Sequence, residues 1–166
     1  MPDPLDDKQV RTGFNRLAVA VAIVSTFDGD EPHGSTGMAW AEHVDPPLVL
    51  TTLRRAGASR RLVEATGMFG VSVLDEGQDE YVRRFAAKSH RPGDRFDGVP
   101  YAPGPRLGLP LLDGCVATFE CEVKDIHPFG GHDIVVGEAV SATASGDQRA
   151  LVHYDGHLWA LRRDAQ

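Results

Sequence analysis

Between His33 and Leu53 the chain reads HGSTGMAWAEHVDPPLVLTTL, a run of hydroxyls and glycines, then a rigid Asp-Pro-Pro break, then an apolar stretch. Ser35 and Thr36 offer hydroxyls, and Gly34 and Gly37 leave backbone N–H groups unobstructed. Pro46 and Pro47 fix their own φ and donate nothing, so one strand must end there and another begin. The combination predicts a ligand-binding edge along which a flat polar molecule can lie. Downstream, Thr51-Thr52-Leu53-Arg54-Arg55-Ala56-Gly57-Ala58-Ser59 ends a strand and enters a helix. A helix N-terminus is a natural seat for an anion, and Arg54 or Arg55 would add a fork of donors suited to phosphate, with Thr52 and Ser59 beside it.

The order of these pieces resembles the flavin reductase-like family. The likeness runs from about residue 12 to 161 through VAIVST, HGST, DPPLVL, GMFGVSVL, Arg95-Phe96, GLPLLDGC, FEC, GGHDIVVGE and HYDGHLW. It implies a split β-barrel that binds FMN or FAD and accepts hydride from NADH or NADPH. It further implies a homodimer that supplies reduced flavin to a partner monooxygenase. On this resemblance Ser35, Thr36, Gly37 and Met38 run beside the isoalloxazine ring, and flavin phosphate is held near Thr52, Arg54 or Arg55, and Ser59. The family pattern has Thr, any residue, then Asn. Counting back from Asp45 puts Ser35 at the Thr position, a one-residue deletion puts Thr36 there, and in neither register is the Asn present. The family's Gly-Asp-His stretch, associated with the nicotinamide side, has its counterpart in Gly130-Gly131-His132, which makes His132 the candidate catalytic residue. Gly131 stands where the carboxylate would be, although Asp133 is adjacent. Two other readings stay open: an oxidoreductase that retains its flavin and reduces another acceptor, and a non-catalytic flavin-binding barrel.

Composition restricts the alternatives. With 166 residues and 42% hydrophobic content the chain suits one globular domain, residues 1–166, with 1–11 as a flexible N-terminal segment. A formal net charge of −7 argues against a nucleic-acid or anionic-membrane surface, which needs a basic field. Leu17 to Val24, the longest apolar run, is too short to span a bilayer and has no signal-peptide layout before it. Cys115 and Cys121, six residues apart on one strand, face the same way without meeting, which fits a reducing cytoplasm. His153 and His157 flank the Asp155-Gly156 turn rather than sharing a helical face, so no metal is expected. Entry motifs for a serine hydrolase, a P-loop enzyme and a Rossmann dehydrogenase are all missing from the sequence.

Period-two alternation dominates and predicts a mainly β fold, a split barrel with Greek-key-like connections and two or three short helices. Leu17 to Val24 reads as a strand buried on both faces, with small alanines alternating against Leu, Val and Ile. His33–His43 and Leu48–Leu53 read as neighbouring staves. Ser59 is placed as a helix N-cap, and Gly67 at the helix C-terminus. Asp75 with Gln78 caps a second helix carrying Tyr81, Val82 and Phe85. Residues 87–113, rich in Gly, Pro and Arg, read as a long functional loop. From Cys115 to Ile126 the alternation predicts Cys115, Phe119 and Cys121 inward, with Glu120, Glu122 and Lys124 facing water.

Overall fold

Strand β1 (Val19–Asp28) is buried on both faces from Val21 to Thr26. Ala22 and Val24 enter one apolar cluster with Val49, Phe69, Val71 and Val135, whereas Val21 and Ile23 enter another with Leu74, Phe85 and Phe96. A strand that separates two cores needs apolar residues at every position, which is why Val-Ala-Val-Ala-Ile-Val is uninterrupted. Each buried Val or Ile contributes about 1.5–3 kcal/mol. Leu17 lies before the strand and is exposed.

The computed structural model describes residues 6–161. Part of the flexible segment expected at residues 1–11 lies outside them, and Asp7–Phe14 forms helix α1, capped by the Asp6 side chain and without buried residues. Five further strands close a barrel with β1: β2 (Glu31–Glu42), β3 (Leu48–Arg54), β4 (Met68–Val73), β7 (Ala117–Phe129) and β8 (His132–Ala144). Their antiparallel order is β1-β2-β3-β8-β7-β4, and β4 returns to β1. Helix α2 (Ala58–Thr66) carries the chain from β3 to β4, with Leu62 and Val63 buried and Gly67 ending it at φ 70°. A 3₁₀ turn at Glu76–Gln78 has the Asp75–Gln78 capping box and leads into α3 (Asp79–Ala86), whose Phe85 enters the outer core. Outside the barrel, β9 (Leu151–Tyr154) and β10 (His157–Ala160) extend the sheet from β1. Asp155 and Gly156, both at positive φ, form their turn, and two consecutive residues in that region match the right-handed twist of the strands.

Three expectations change. Residues 87–113 are not merely a loop: they hold a 3₁₀ turn at Asp94–Phe96 and a small hairpin of β5 (Tyr101–Pro103) and β6 (Pro110–Leu112). Phe96, Val99, Leu109 and Leu112 from this segment are buried. Periodicity does not reveal it because strands this short cannot establish a period. Glu120 does point out of the barrel, opposite to Cys121, yet it is fully buried rather than wet. Its carboxylate accepts from the backbone N–H groups of Arg106 and Leu107 at 2.8 Å each and of Leu109 at 3.3 Å. Finally, Gly57 and not Ser59 is the N-cap of α2, and no side chain caps that helix.

The two cysteines are free and buried, and burial pushes both thiols up to about 12, which suits packing rather than nucleophilic attack. Among the described residues no helix is long and apolar enough to cross a membrane.

Candidate functional site

The first half of β2 pairs only with β1, from Glu31 to Met38, and β3 joins its other side only from Ala39 onward. A gap therefore opens beside His33–Met38, between β2, the end of β3 and the start of α2. Along this stretch the Gly34 carbonyl accepts from the Arg95 guanidinium at 2.6 Å, and the Met38 carbonyl from the Thr51 hydroxyl at 2.8 Å. Both groups take the place of a strand neighbour. Gly34 is required by packing: a Cβ there would stand 2.9 Å from the Phe85 ring and 3.1 Å from Phe96.

Alternation divides the predicted platform. Ser35 projects toward α2, where its hydroxyl accepts from Ser59 at 2.9 Å, and Ser59 also lies 2.9 Å from Nε2 of His33. Thr36 projects the other way and donates to the Val82 carbonyl of α3 at 2.8 Å. Adjacent residues of a strand face opposite sides, so Ser35 and Thr36 cannot both present hydroxyls to one ligand surface. Gly37 points into the barrel, where a Cβ would meet Val24 at 3.1 Å. The Asn that the family pattern places there would need Val24 to move. Met38 is 41% exposed on the outer face with Trp40. Thr51 is buried, and Thr52, one position on, turns to the outer face with Arg54.

Arg54 is exposed at the end of β3 and lies opposite His132, the first residue of β8. His132 is also opposite Phe129 across the hairpin turn and is exposed. Arg55 is held more tightly. Its Nε donates to Asp133 at 2.8 Å, and its backbone N–H donates to the Gly131 carbonyl at 3.0 Å. Asp133, with a 2% exposed side chain, also accepts from Arg60 Nε at 2.7 Å. The Arg55 guanidinium, then Arg60, holds the Asp133 carboxyl below its ordinary range despite the opposing cost of desolvation. The carboxylate beside His132 thus belongs to these two arginines and does not orient the imidazole. Asp133 lies inside the barrel wall because it is one residue from the outward-facing His132.

Residue types alone single out neither His33 nor Asp133. In the sequence His33 is one of seven histidines, and its significance depends on Ser59 arriving beside it from a helix 26 residues away. Burial, and secondarily the Arg95 charge, holds the His33 imidazole below its usual value. An unfolded chain takes up this proton below about pH 6.5 while the folded protein resists it, so stability is unaffected above that pH and falls as pH drops below it. Urea midpoints measured from pH 7.5 to 5 should show this fall, and it should be smaller in His33→Gln.

Ser35 and Ser59 meet between the open side of β2 and the start of the uncapped α2, Arg55 is tied from the end of β3 to Asp133 and Gly131, and Arg54 and His132 lie opposite one another on the outer face beyond this region. Thr36 sits behind it against α3. The orphan N–H groups of the first α2 turn, the Arg55 fork and the Ser35 hydroxyl form a donor set that fits an anionic phosphate joined to a flat polar ring.

The family model for the flavin reductase like domain matches residues 14–162. An NADH-dependent FAD reductase of Streptomyces globisporus is 34% identical over 165 residues, covering 98% of this chain and 90% of that protein. The reductase subunit of a flavin-dependent monooxygenase from Rhodococcus jostii is 29% identical, covering 98% of this chain and 82% of its own length. The solved structure of the Streptomyces globisporus C-1027 NADH:FAD oxidoreductase in complex with NAD and FAD fragments superposes with a TM-score of 0.89. It has 31% identity and covers 100% of this chain and 99% of that one.

Proposed function

The chain belongs to the flavin reductase-like family, and from that premise we propose that it transfers hydride from NADH or NADPH to FMN or FAD and passes reduced flavin to a monooxygenase component. The observation that carries this reading is the α2 N-terminus, left without a capping side chain and flanked by the Asp133-held Arg55. When bound, the nicotinamide supplies the hydride and the flavin ring accepts it. The protein binds and orients. The α2 N–H groups and Arg55 hold phosphate, and the Ser35 hydroxyl donates to the polar edge of the ring. Asp133 keeps Arg55 in place, so little side-chain freedom is lost on binding. No side chain has to move a proton for hydride transfer itself. On this reading His132, exposed opposite Arg54, donates to the nicotinamide amide.

Oxidation of NADH followed at the nicotinamide absorbance band, with FMN and FAD added in turn, tests the reading. Turnover that requires flavin and saturates with it supports a reductase. Flavin binding without turnover under any pairing would leave only a binding barrel. His132→Ala should raise the nicotinamide KM about tenfold, the worth of one hydrogen bond, while flavin KM moves less than about twofold. Equal shifts in both constants would remove His132 from the nicotinamide side.

The homodimer belongs to the same proposal. Trp40, Leu50 and Val136 form one cross-strand row on the outer face of β2, β3 and β8, next to exposed Met38. An apolar row of this kind is suited to burial against a second copy. Sedimentation should give a dimer that Trp40→Glu dissociates; a wild-type monomer would refute it. The cytoplasm is supported by the two unpaired thiols.

A further inference from the structure

Ser59, predicted as a helix cap, does not cap α2 with its hydroxyl. Its single proton is committed to Ser35 Oγ at 2.9 Å, with a geometry in which Ser59 is the donor. His33 Nε2 is 2.9 Å from the same Ser59 oxygen. Because the Ser59 proton is already used, the imidazole must be the donor in that contact, which requires hydrogen on Nε2. We infer that His33 is a positioning residue: through Ser59 it fixes the direction of a hydrogen-bond chain that ends in the Ser35 hydroxyl proton, which is left to donate to the flavin.

This inference rests on the flavin assignment of Ser35 made above and gives a role to His33, to which the sequence reading assigned none. A lone pair of serines has no preferred direction, since either hydroxyl can donate to the other. If Ser35 donated to Ser59, its proton would be lost to the ligand and its oxygen would face the carbonyl edge of the ring, two acceptors together. A donor on the far side of Ser59 removes that choice. His33 is well suited to hold it, because the imidazole is buried and its strand is anchored next to it by the Arg95 bond to the Gly34 carbonyl. The charged groups around the ring are Asp28 on β1, Arg61 on α2, and Asp94 and Arg95 on the 3₁₀ turn. The chain's direction also survives protonation, because the imidazolium keeps its Nε2 proton.

Two measurements test it independently. A 1H–15N spectrum of the wild-type imidazoles, with His33 assigned by comparison with His33→Gln, should show hydrogen on Nε2; a proton on Nδ1 alone overturns the relay whatever the kinetics. In steady-state assays His33→Ala should raise flavin KM about tenfold, with the nicotinamide KM unchanged, and His33→Gln, whose amide N–H reaches the Nε2 position, should restore it to within about twofold. In a Ser35→Ala background His33→Ala should add nothing. A full second tenfold loss there would make His33 merely structural and overturn the inference. Should His33→Ala fail to fold, His33→Gln with Ser35→Ala and the wild-type spectrum still decide. An Nε2 proton together with an unmoved flavin KM in Ser35→Ala overturns the inference at its ligand end. That outcome would implicate the flavin assignment of Ser35 rather than the relay.

Discussion

Glu120→Ala is expected to lower the unfolding free energy by about 3–5 kcal/mol, because three backbone N–H groups lose their common acceptor inside the protein. Against a typical total of about 5–15 kcal/mol this is a large fraction. The loss arises where the segment around β5 and β6 meets β7, so that segment should loosen first and expose Leu109 and Leu112. Gly104→Ala approaches the same result from the other partner. A Cβ there would lie 2.1 Å from Glu120 Oε1 and 2.2 Å from its Cδ, so the buried carboxylate that accepts the three N–H groups would have to shift. Urea unfolding of both variants, with Glu120→Gln as the milder control, checks this. A midpoint for Glu120→Ala equal to that of the wild type would show that the carboxylate does not hold the loop.

Arg55→Ala is expected to raise flavin KM on the order of 10- to 100-fold, as the loss of charged hydrogen bonds to a phosphate does, with a much smaller change in the nicotinamide constant. Arg54→Ala should cost only a few-fold. The difference comes from Asp133. Arg55 is fixed by its side-chain bond to Asp133 and its backbone bond to Gly131, while Arg54 has no ion pair among the described residues. A preordered guanidinium loses less freedom on binding than a free one. Flavin KM in the wild type should also rise with ionic strength, and that dependence should weaken in Arg55→Ala. A larger effect from Arg54 than from Arg55 would reverse the assignment and move the phosphate to the outer face of β3.

Most of the elements around the site are legible in the amino-acid sequence. Asp45-Pro46-Pro47 separates β2 from β3, Gly67 ends α2 in the left-handed region, Asp155-Gly156 turns β9 into β10, and Asp75 with Gln78 caps the turn before α3. Each depends on a backbone requirement that one or two residues satisfy locally. The burial of β1 on both faces is equally legible, because no polar residue interrupts its apolar run. Less accessible are the segment at residues 87–113, whose strands are three residues each, and the cap of α2, where the preferred Ser59 lies two positions beyond the true boundary.

By itself the sequence determined the barrel staves and their turns, since alternation and turn chemistry are properties of neighbours in the chain. Tertiary structure alone decided what each of those residues faces. Alternation correctly sent Glu120 out of the barrel but carried no information about the loop that covers it. Ser35 and Thr36, read from the sequence as running together along one ligand edge, are turned apart by the fold, Ser35 to α2 and Thr36 to α3. His33, Ser59 and Ser35 become one hydrogen-bonded chain, and Arg55, Arg60 and Asp133 one charged cluster, only when a helix and two strands converge. Hydrogen bonds and ion pairs act over a few ångströms between segments distant in sequence, and no local pattern encodes which of them will meet.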